Sequence, residues 1–354
     1  MKLFFDARYT RTDYYDGISR YGASLIQALH ESGQSVTMII SSPDQLRLLP
    51  KQVPYVMLHT PFSPKEQFVA RTLNKLGADV VFSPLQWMGS WGRRYKLIFT
   101  LQDITYYQFP KPPTFLPLAV RIIWRLFHLA YWPQKWLLSA ADAVATVSKT
   151  SRDYILQYGL TKVPATVIYN APQPQAVKRQ TRLKKDLVYV GSFMPYKNVE
   201  VLIEGMQFAP LGFTLHLVSK ISDQRKAELQ ALVPDDAAVV FHNGLSEADY
   251  QALLAGAFAV VTGSKAEGFG LPIVEAATLG IPALLSNIPI FHEVAGSGAL
   301  YFDPDDPQSF ASKLHDLNQP HARKKISAAA SAHVHRFTWQ KSAKVLENLA
   351  TSLL

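Results

Sequence analysis

Two glutamates, Glu267 and Glu275, flank a glycine-rich loop and are separated by seven residues that begin Gly268-Phe-Gly-Leu-Pro272. The apolar run 258–262 before them has the length of a buried parallel strand. Gly268 and Gly270 then puncture the chain, and Pro272 suits the first turn of a helix. A strand, a glycine loop and a helix start leave backbone amides pointing beyond the strand end, where they favour an anion. Carboxylates on either side accept hydrogen bonds from hydroxyls. The spacing therefore predicts a ligand with a phosphate between hydroxyl groups, the description of a sugar nucleotide. The plainer alternative makes Glu267 a loop carboxylate and Glu275 a favourable charge near a helix start.

Other residues bear on the same chemistry. Gly191 ends a strand-like run, where a glycine lets a ligand approach the backbone. Lys197, six residues on, can neutralise a diphosphate as a mobile point charge, or lie solvated on the surface. Asn243 and Gly244 follow another strand and stand where a base pocket would have its border. Near the N-terminus Gly17 sits between a loop and a helix, suited to an amide contact or simply to a tight turn, and Arg20 follows it. Asp303, Asp305 and Asp306 resemble a metal-binding pattern, but a turn followed by a helix cap accounts for them, and the ten histidines show no ligand spacing.

These positions need a scaffold, and the hydrophobic pattern predicts one. Residues 2–7, 36–40, 78–82, 97–101, 143–147 and 166–169 read as short strands separated by loops and helices; Ile18, Tyr21, Leu25 and Leu29 mark one face of a helix ending near Gly33. A second alternation has strands at 187–190, 214–218, 238–241, 259–262 and 283–285, with Ser246 as a helix cap. The fold expected is α/β: two Rossmann-like domains with parallel sheets facing a cleft. Residues 1–172 form the first domain, 173–186 a proline- and lysine-rich linker, 187–337 the second domain, and 338–354 a C-terminal helix able to pack back on the first.

Composition narrows the partners. The 354 residues include no cysteine, so disulfides and thiolate metal sites are excluded, and no apolar run is long enough to span a bilayer. The N-terminal apolar run is too short for a signal peptide, so a cytoplasmic protein is expected. A net charge of +9 favours acidic partners. Nucleic acid is not expected, because no recognition module accompanies the charge.

The stretch Glu267-Gly-Phe-Gly-Leu-Pro-Ile-Val-Glu275, with Gly280-Ile-Pro282, resembles the nucleotide-sugar motif of the family 4 retaining glycosyltransferases of GT-B fold. Tyr189-Val-Gly-Ser-Phe-Met-Pro-Tyr-Lys-Asn198, Ser286-Asn-Ile-Pro-Ile-Phe-His-Glu293 and Leu300-Tyr-Phe-Asp-Pro304 are similar to the same family, and the resemblance spans the chain. It implies that Glu267 contacts hydroxyls of the transferred sugar and Glu275 the ribose, while amides of Gly268, Phe269, Gly270 and Leu271, with Pro272 and Ile273, form the donor loop. Gly191, Ser192 and Lys197 would face the diphosphate. Ser192 stands where the family commonly has arginine, a role Lys220 or an N-domain arginine would take over. Asp16-Gly17 resembles the family's glycine loop with its second glycine replaced, and Gln102-Asp103 its sugar-facing His-Asp pair, with a glutamine that cannot titrate. The implied activity is metal-independent transfer of a hexose, mannose first, from a GDP-mannose or UDP-glucose type donor to a hydroxyl acceptor, glycan or lipid-linked, with no further cofactor. A GT-B protein that binds nucleotide-sugar without transfer, or an epimerase or hydrolase, remains the alternative.

The stretch 115–138 carries Arg121, Arg125, His128 and Trp132 on one helical face and Leu118, Ile122, Leu126 and Leu129 toward another. A helix covering the sheet has this pattern, and is the favoured reading. So does a helix lying on an anionic membrane surface, which would place the protein peripherally on the inner face of the membrane. Arg93, Arg94 and the linker cations Lys178, Arg179, Arg182, Lys184 and Lys185 would add attraction to acidic lipid.

Overall fold

A computed structural model describes residues 1–12, 16–112, 116–174, 176–180 and 184–354. They form two compact units, Met1–Asn170 with Phe337–Leu354, and Ala171–Arg336.

In the first unit seven described strands, β1 Leu3–Asp6, β2 Val36–Ile40, β3 Tyr55–Met57, β4 Val80–Ser83, β5 Lys96–Thr100, β6 Ala143–Thr146 and β7 Ala165–Val167, form a parallel sheet in the order β3-β2-β1-β4-β5-β6-β7. The central strands β1, β4 and β6 are buried at every residue, which is why they read as continuous apolar runs rather than alternating ones. Strand β3 is absent from the sequence-based expectation. It is three residues long, lies at the sheet edge and exposes Tyr55 and Met57, so it has no apolar pattern to detect. Asp16 accepts from the Ser19 amide at 2.8 Å and caps the Gly17–Glu31 helix, which gives a physical reason for an aspartate beside Gly17. The Trp339–Ser352 helix packs on that helix: the Tyr21 and Trp339 rings lie 6.1 Å apart, and Ser342 Oγ donates to the Tyr169 carbonyl.

The expected helix over 115–138 is two helices, Leu118–His128 and Trp132–Leu138; Phe115 lies outside the described residues. The first buries none of its side chains, so the reading of a helix that covers the sheet core is corrected. It attaches by one edge, where Trp124 and His128 meet Tyr106 and Tyr107 at ring separations of 4.9 Å or more, and leaves Ile123 and Leu126 more than 60% exposed. Arg93 is also not a surface cation: it pairs with Asp142 at 2.6 Å and donates to the carbonyls of Tyr95 and Ala140.

In the second unit β8 Asp186–Tyr189, β9 Thr214–Leu217, β10 Ala238–Phe241, β11 Ala259–Thr262, β12 Ala283–Ser286 and β13 Ala299–Phe302 form a parallel sheet in the order β10-β9-β8-β11-β12-β13. Its main core runs from Leu187 and Tyr189 to Phe258, Phe302 and Phe310. The described part of the expected linker runs along this unit. The amides of Gln180 and Lys184 donate to Ala255 and Gly256, and Lys185 Nζ reaches the Leu211 carbonyl; Arg182 lies outside the described residues. Backbone pairing holds the segment there in spite of its apolar-poor sequence. No described helix is long and apolar enough to cross a membrane.

Candidate functional site

All six strands of the second sheet are parallel, so their carboxyl ends share one edge. The order reverses at β8, which pairs with β9 on one side and β11 on the other. Loops leaving two such strands diverge to opposite faces and open a crevice between them. Lys197 leaves β8 and Glu267 leaves β11, so the two residues stand at this switch point.

Two hydrogen bonds clasp the two loops together, and a third ties the first loop to the segment after β13. Asn198 adopts a left-handed conformation (φ 49°) and donates from Nδ2 to the Gly263 carbonyl at 3.1 Å and the Pro304 carbonyl at 2.7 Å. The Lys265 amide donates to the Tyr196 carbonyl at 2.8 Å. A Cβ on Gly263 would come within 2.5 Å of Val201 Cγ1 and 2.6 Å of the Asn198 carbonyl, so the approach requires glycine there. The result is an ion pair, Lys197 Nζ to Glu267 Oε1 at 2.5 Å, with side chains 14% and 19% exposed. Ser264 Oγ adds a hydrogen bond to the same carboxylate oxygen at 3.2 Å and is itself in contact with Thr262 Oγ1 at 3.0 Å. Lys197 is thus neither solvated nor far from the glutamate.

Gly270 ends the loop in a left-handed conformation (φ 99°) and stands as the N-cap of the Leu271–Thr278 helix, with Pro272 in its first turn. No side chain caps this helix, so its first amides point to the crevice edge as helix geometry dictates. Gly268 and Phe269 are buried, the latter 3% exposed, so the Phe269 side chain packs into the fold. The Ile273 amide already donates to the Gly270 carbonyl, and its side chain is buried. Glu275 is 4% exposed and accepts from the Tyr250 hydroxyl at 3.3 Å. Tyr250 comes from the Glu247–Gly256 helix, which Ser246 caps through the Asp249 amide. A carboxylate this buried is more than an ordinary helix-start charge, which would sit in solvent.

Gly191 has two explanations side by side. Its amide donates to Ser219 Oγ at 3.1 Å, and a Cβ there would meet the Tyr189 hydroxyl at 2.8 Å. That hydroxyl donates to the Ser192 carbonyl at 2.6 Å, and burial pushes its pKa well above the usual tyrosine value. The chain's own packing therefore demands glycine at 191. Beyond β9 and β10, Lys220 lays its stem across Gly244, whose hypothetical Cβ would be 2.7 Å from Lys220 Cγ. Asn243 (φ 55°) and Gly244 (φ 96°) are both left-handed, and Asn243 Oδ1 accepts the Ile221 amide. His242 stacks on His216 with ring nitrogens 2.9 Å apart, and its pKa is lowered by burial first and by the neighbouring His216 second. Asp306 caps the Pro307–Asn318 helix and Asp303 accepts the Asp305 amide, while Lys265 pairs with Asp305; among the described residues no three His, Asp or Glu side chains cluster to hold a metal.

The first unit holds its own set of residues. Gly17 opens a helix without positive φ, and a Cβ there meets no described atom within 4 Å. Arg20 sits one turn inside, its amide on the Asp16 carbonyl. Gln102 and Asp103 follow β5: Gln102 Nε2 donates to the Pro84 carbonyl at 3.1 Å, and Asp103 accepts the Thr105 amide at 2.9 Å. Sequence reasoning missed a buried network after β1, where Arg8 makes paired contacts to Asp6 and to Glu66. Burial alone would lower the Arg8 pKa, but the two carboxylates outweigh it and raise it. Its only sequence signal is an Asp-x-Arg at the end of a strand. Ser264, Asn198 and Tyr250 were missed as well; Asn198 and Tyr250 act on partners remote in sequence, and Ser264 on Glu267 three residues away.

Residues 15–174 match the family model described as Glycosyltransferase Family 4, and residues 175–333 match Glycosyl transferases group 1. Over 180 residues the chain is 32% identical to the O-antigen chain mannosyltransferase RfbU of Salmonella typhimurium, covering 50% of this chain and 51% of the relative. It is 28% identical over 223 residues to the O-antigen chain mannosyltransferase B of Escherichia coli, covering 57% and 58%. The chain spans about half the length of these curated relatives. The structure resembles that of Anabaena Alr3699/HepE in complex with UDP and glucose, with a TM-score of 0.72, 17% identity, and coverage of 99% of this chain and 100% of the other. With two Rossmann-like units and two adjoining family models that together span residues 15–333, the chain belongs to the family 4 glycosyltransferases of GT-B fold.

Proposed function

We propose that the protein is a metal-independent retaining hexosyltransferase that moves mannose from GDP-mannose to a hydroxyl acceptor, glycan or lipid-linked. The observation that carries this reading is the Lys197–Glu267 pair at the β8/β11 crevice beside an uncapped helix start. A diphosphate arriving at Lys197 competes with Glu267 for the ammonium. The freed carboxylate then accepts hydrogen bonds from the sugar, while lysine and helix amides stabilise charge on the departing phosphate. Glu275, which accepts from Tyr250, takes the ribose hydroxyl in this reading. A phosphate oxygen of the leaving group takes the acceptor proton, because the Gln102 amide does not titrate and cannot serve as a base. Gly17 and Arg20 in the first unit are assigned to phosphate or acceptor. Mannose is favoured by the two mannosyltransferase relatives, with glucose from a UDP donor second because of the UDP and glucose held by the Anabaena structure.

The Leu118–His128 and Trp132–Leu138 helices support a working place at the anionic inner face of a membrane. Leu118, Ile123, Leu126, Leu129, Trp132 and Trp136 are each at least 61% exposed. Arg121, Arg125 and Lys135 lie among them, and no acidic residue occurs between Asp103 and Asp142. An apolar surface with basic neighbours and no acids suits anionic lipid.

One observation favours a second reading. Ser192 and Gln102 replace residues that other members use, so a protein that binds nucleotide-sugar without transferring it has a physical basis. Incubation of GDP-mannose with and without a panel of hydroxyl acceptors, in chelator, separates the readings. Acceptor-dependent product with the donor's anomeric configuration supports retaining transfer without metal. Binding with no product across the panel supports the second reading. Turnover lost in chelator and restored by manganese contradicts the metal-free mechanism.

A further inference from the structure

The Pro320–Val334 helix starts in a way that works against its own electrostatics. No side chain caps its first turn, no acid occurs in that turn, and Arg323 and Lys324 stand at its beginning. A helix N-terminus carries about half a positive elementary charge, so cations there are repelled. A third cation adds to them. Arg179, from the segment that runs along this unit, lies beside Arg323, and its pKa is pushed down to about 10 by burial and by that neighbouring charge.

The donors of this cluster lack matching acceptors. Among the described residues Arg179 Nη1 is buried with no hydrogen-bond partner, and Nη2 reaches the Ala257 carbonyl at 3.5 Å. Arg323 lies over the Phe258 ring at 5.1 Å, a contact that uses no N–H group. Together with Ser327 and Ser331 these residues line a cavity of about 490 Å³, and no acidic side chain is among its described lining residues. A buried unpaired guanidinium nitrogen, like charges in contact and a positive helix end each cost stability, and one anion would relieve all three.

We propose that this cavity is a binding site for a phosphate or diphosphate group, separate from the donor crevice. Two guanidinium forks match phosphate oxygens in pairs, and the serine hydroxyls add donors. Separation follows from the topology: the Leu271–Thr278 helix begins at the donor loop and ends at the cavity wall formed by Leu279 and Gly280, roughly 12 Å further along its axis. The inference does not depend on the transferase reading.

The test uses calorimetry and thermal melts of the full chain with inorganic phosphate and pyrophosphate, against chloride at equal ionic strength. Pyrophosphate is expected to go on stabilising the fold in Lys197→Ala, where the Lys197 site is lost, and to bind about tenfold or more weakly when Arg323→Gln or Arg179→Gln is added to that variant. Ser327→Glu, which places a carboxylate in the cavity, is expected to raise the melting temperature without added anion and, added to Lys197→Ala, to remove the pyrophosphate response. Loss of the response in Lys197→Ala, or its retention when the arginine changes are added, would overturn the proposal, as would an equal effect of chloride or a destabilised Ser327→Glu. Phosphatidic acid vesicles, offered to a Leu126→Asp variant to remove the apolar helix face, identify the source. Weaker sedimentation on adding Arg323→Gln points to a lipid headgroup, and unchanged sedimentation to a free phosphate.

Discussion

Lys197 Nζ stands 2.5 Å from Glu267 Oε1 although seventy residues of sequence separate them. The pair exists because the loops after β8 and β11 are clasped by Asn198 and by the glycine at 263, not because either side chain seeks the other from solvent. Replacing Lys197 by alanine leaves Glu267 with Ser264 as its remaining partner in a largely buried position, at a cost of about 1–3 kcal/mol. Transfer is expected to fall about 10²–10³-fold, as for loss of one group that stabilises leaving-group charge. Glu267→Ala should fall similarly, and the double variant should recover part of the stability but none of the activity; melts and initial rates check both.

Gly263 and Gly17 make a contrasting pair. Gly263→Ala forces a Cβ into Val201 and the Asn198 carbonyl, and is expected to cost about 1–3 kcal/mol as the loops part. Gly17→Ala meets no described atom and has no positive φ to relieve, so stability should stay within about 0.5 kcal/mol or improve. If a ligand phosphate approaches that backbone, KM for donor or acceptor rises while the melting temperature does not. An unchanged KM would make Gly17 a plain turn residue.

Much of this site was legible before any coordinates. Glycine and proline punctuate the loop between Thr262 and Leu271, and β11 is an uninterrupted apolar run, so strand, loop and helix start fall where the pattern puts them. Three things were not legible. Periodicity finds the apolar face of a helix but not what lies against it, which is why the Leu118–His128 helix read as a sheet cover while its apolar side chains are exposed. A charge in the sequence does not show its partner, so Arg93 read as surface until Asp142 was seen beside it, and Arg8 was not noticed at all. A glycine at a strand end does not reveal whether ligand or protein needs the space; at Gly191 the Tyr189 ring does.

Tyr250→Phe removes the hydrogen bond to buried Glu275. The expected cost is about 1 kcal/mol in stability, with a larger loss of affinity for the intact nucleotide-sugar than for the sugar phosphate alone. Competition binding with nucleotide and sugar phosphate checks it, because a purely structural role would weaken both equally.

Leu126→Asp and Trp132→Asp place a charge on the exposed face without disturbing a core. Neither change should lower stability by more than about 0.5 kcal/mol, and both should reduce sedimentation with vesicles containing phosphatidylglycerol. Raising salt should weaken wild-type sedimentation through the Arg121, Arg125 and Lys135 component. Equal sedimentation with neutral vesicles, or association of two copies of the chain through this face, would remove the anionic-lipid reading.

The His242–His216 stack predicts an acid sensitivity. The His242 pKa is depressed in the fold, so the unfolded chain binds the proton better, and stability falls as pH drops below the ordinary histidine value of about 6.5. The contribution is fully present above that value and is lost toward the depressed one. His242→Gln should flatten the melting temperature between about pH 7 and 5 relative to wild type. An identical slope in the variant would show that other groups carry the acid sensitivity.

Calorimetric titration of GDP-mannose into wild type, Glu267→Ala and Lys197→Ala tests the donor site most directly, with UDP-glucose and an ADP-sugar alongside. The prediction is saturable binding to the wild type, tightest for GDP-mannose, and at least about tenfold weaker binding to both variants while their melting curves remain cooperative. Absence of binding by all three nucleotide-sugars, or binding undiminished in both variants, would contradict a donor site built on Lys197 and Glu267.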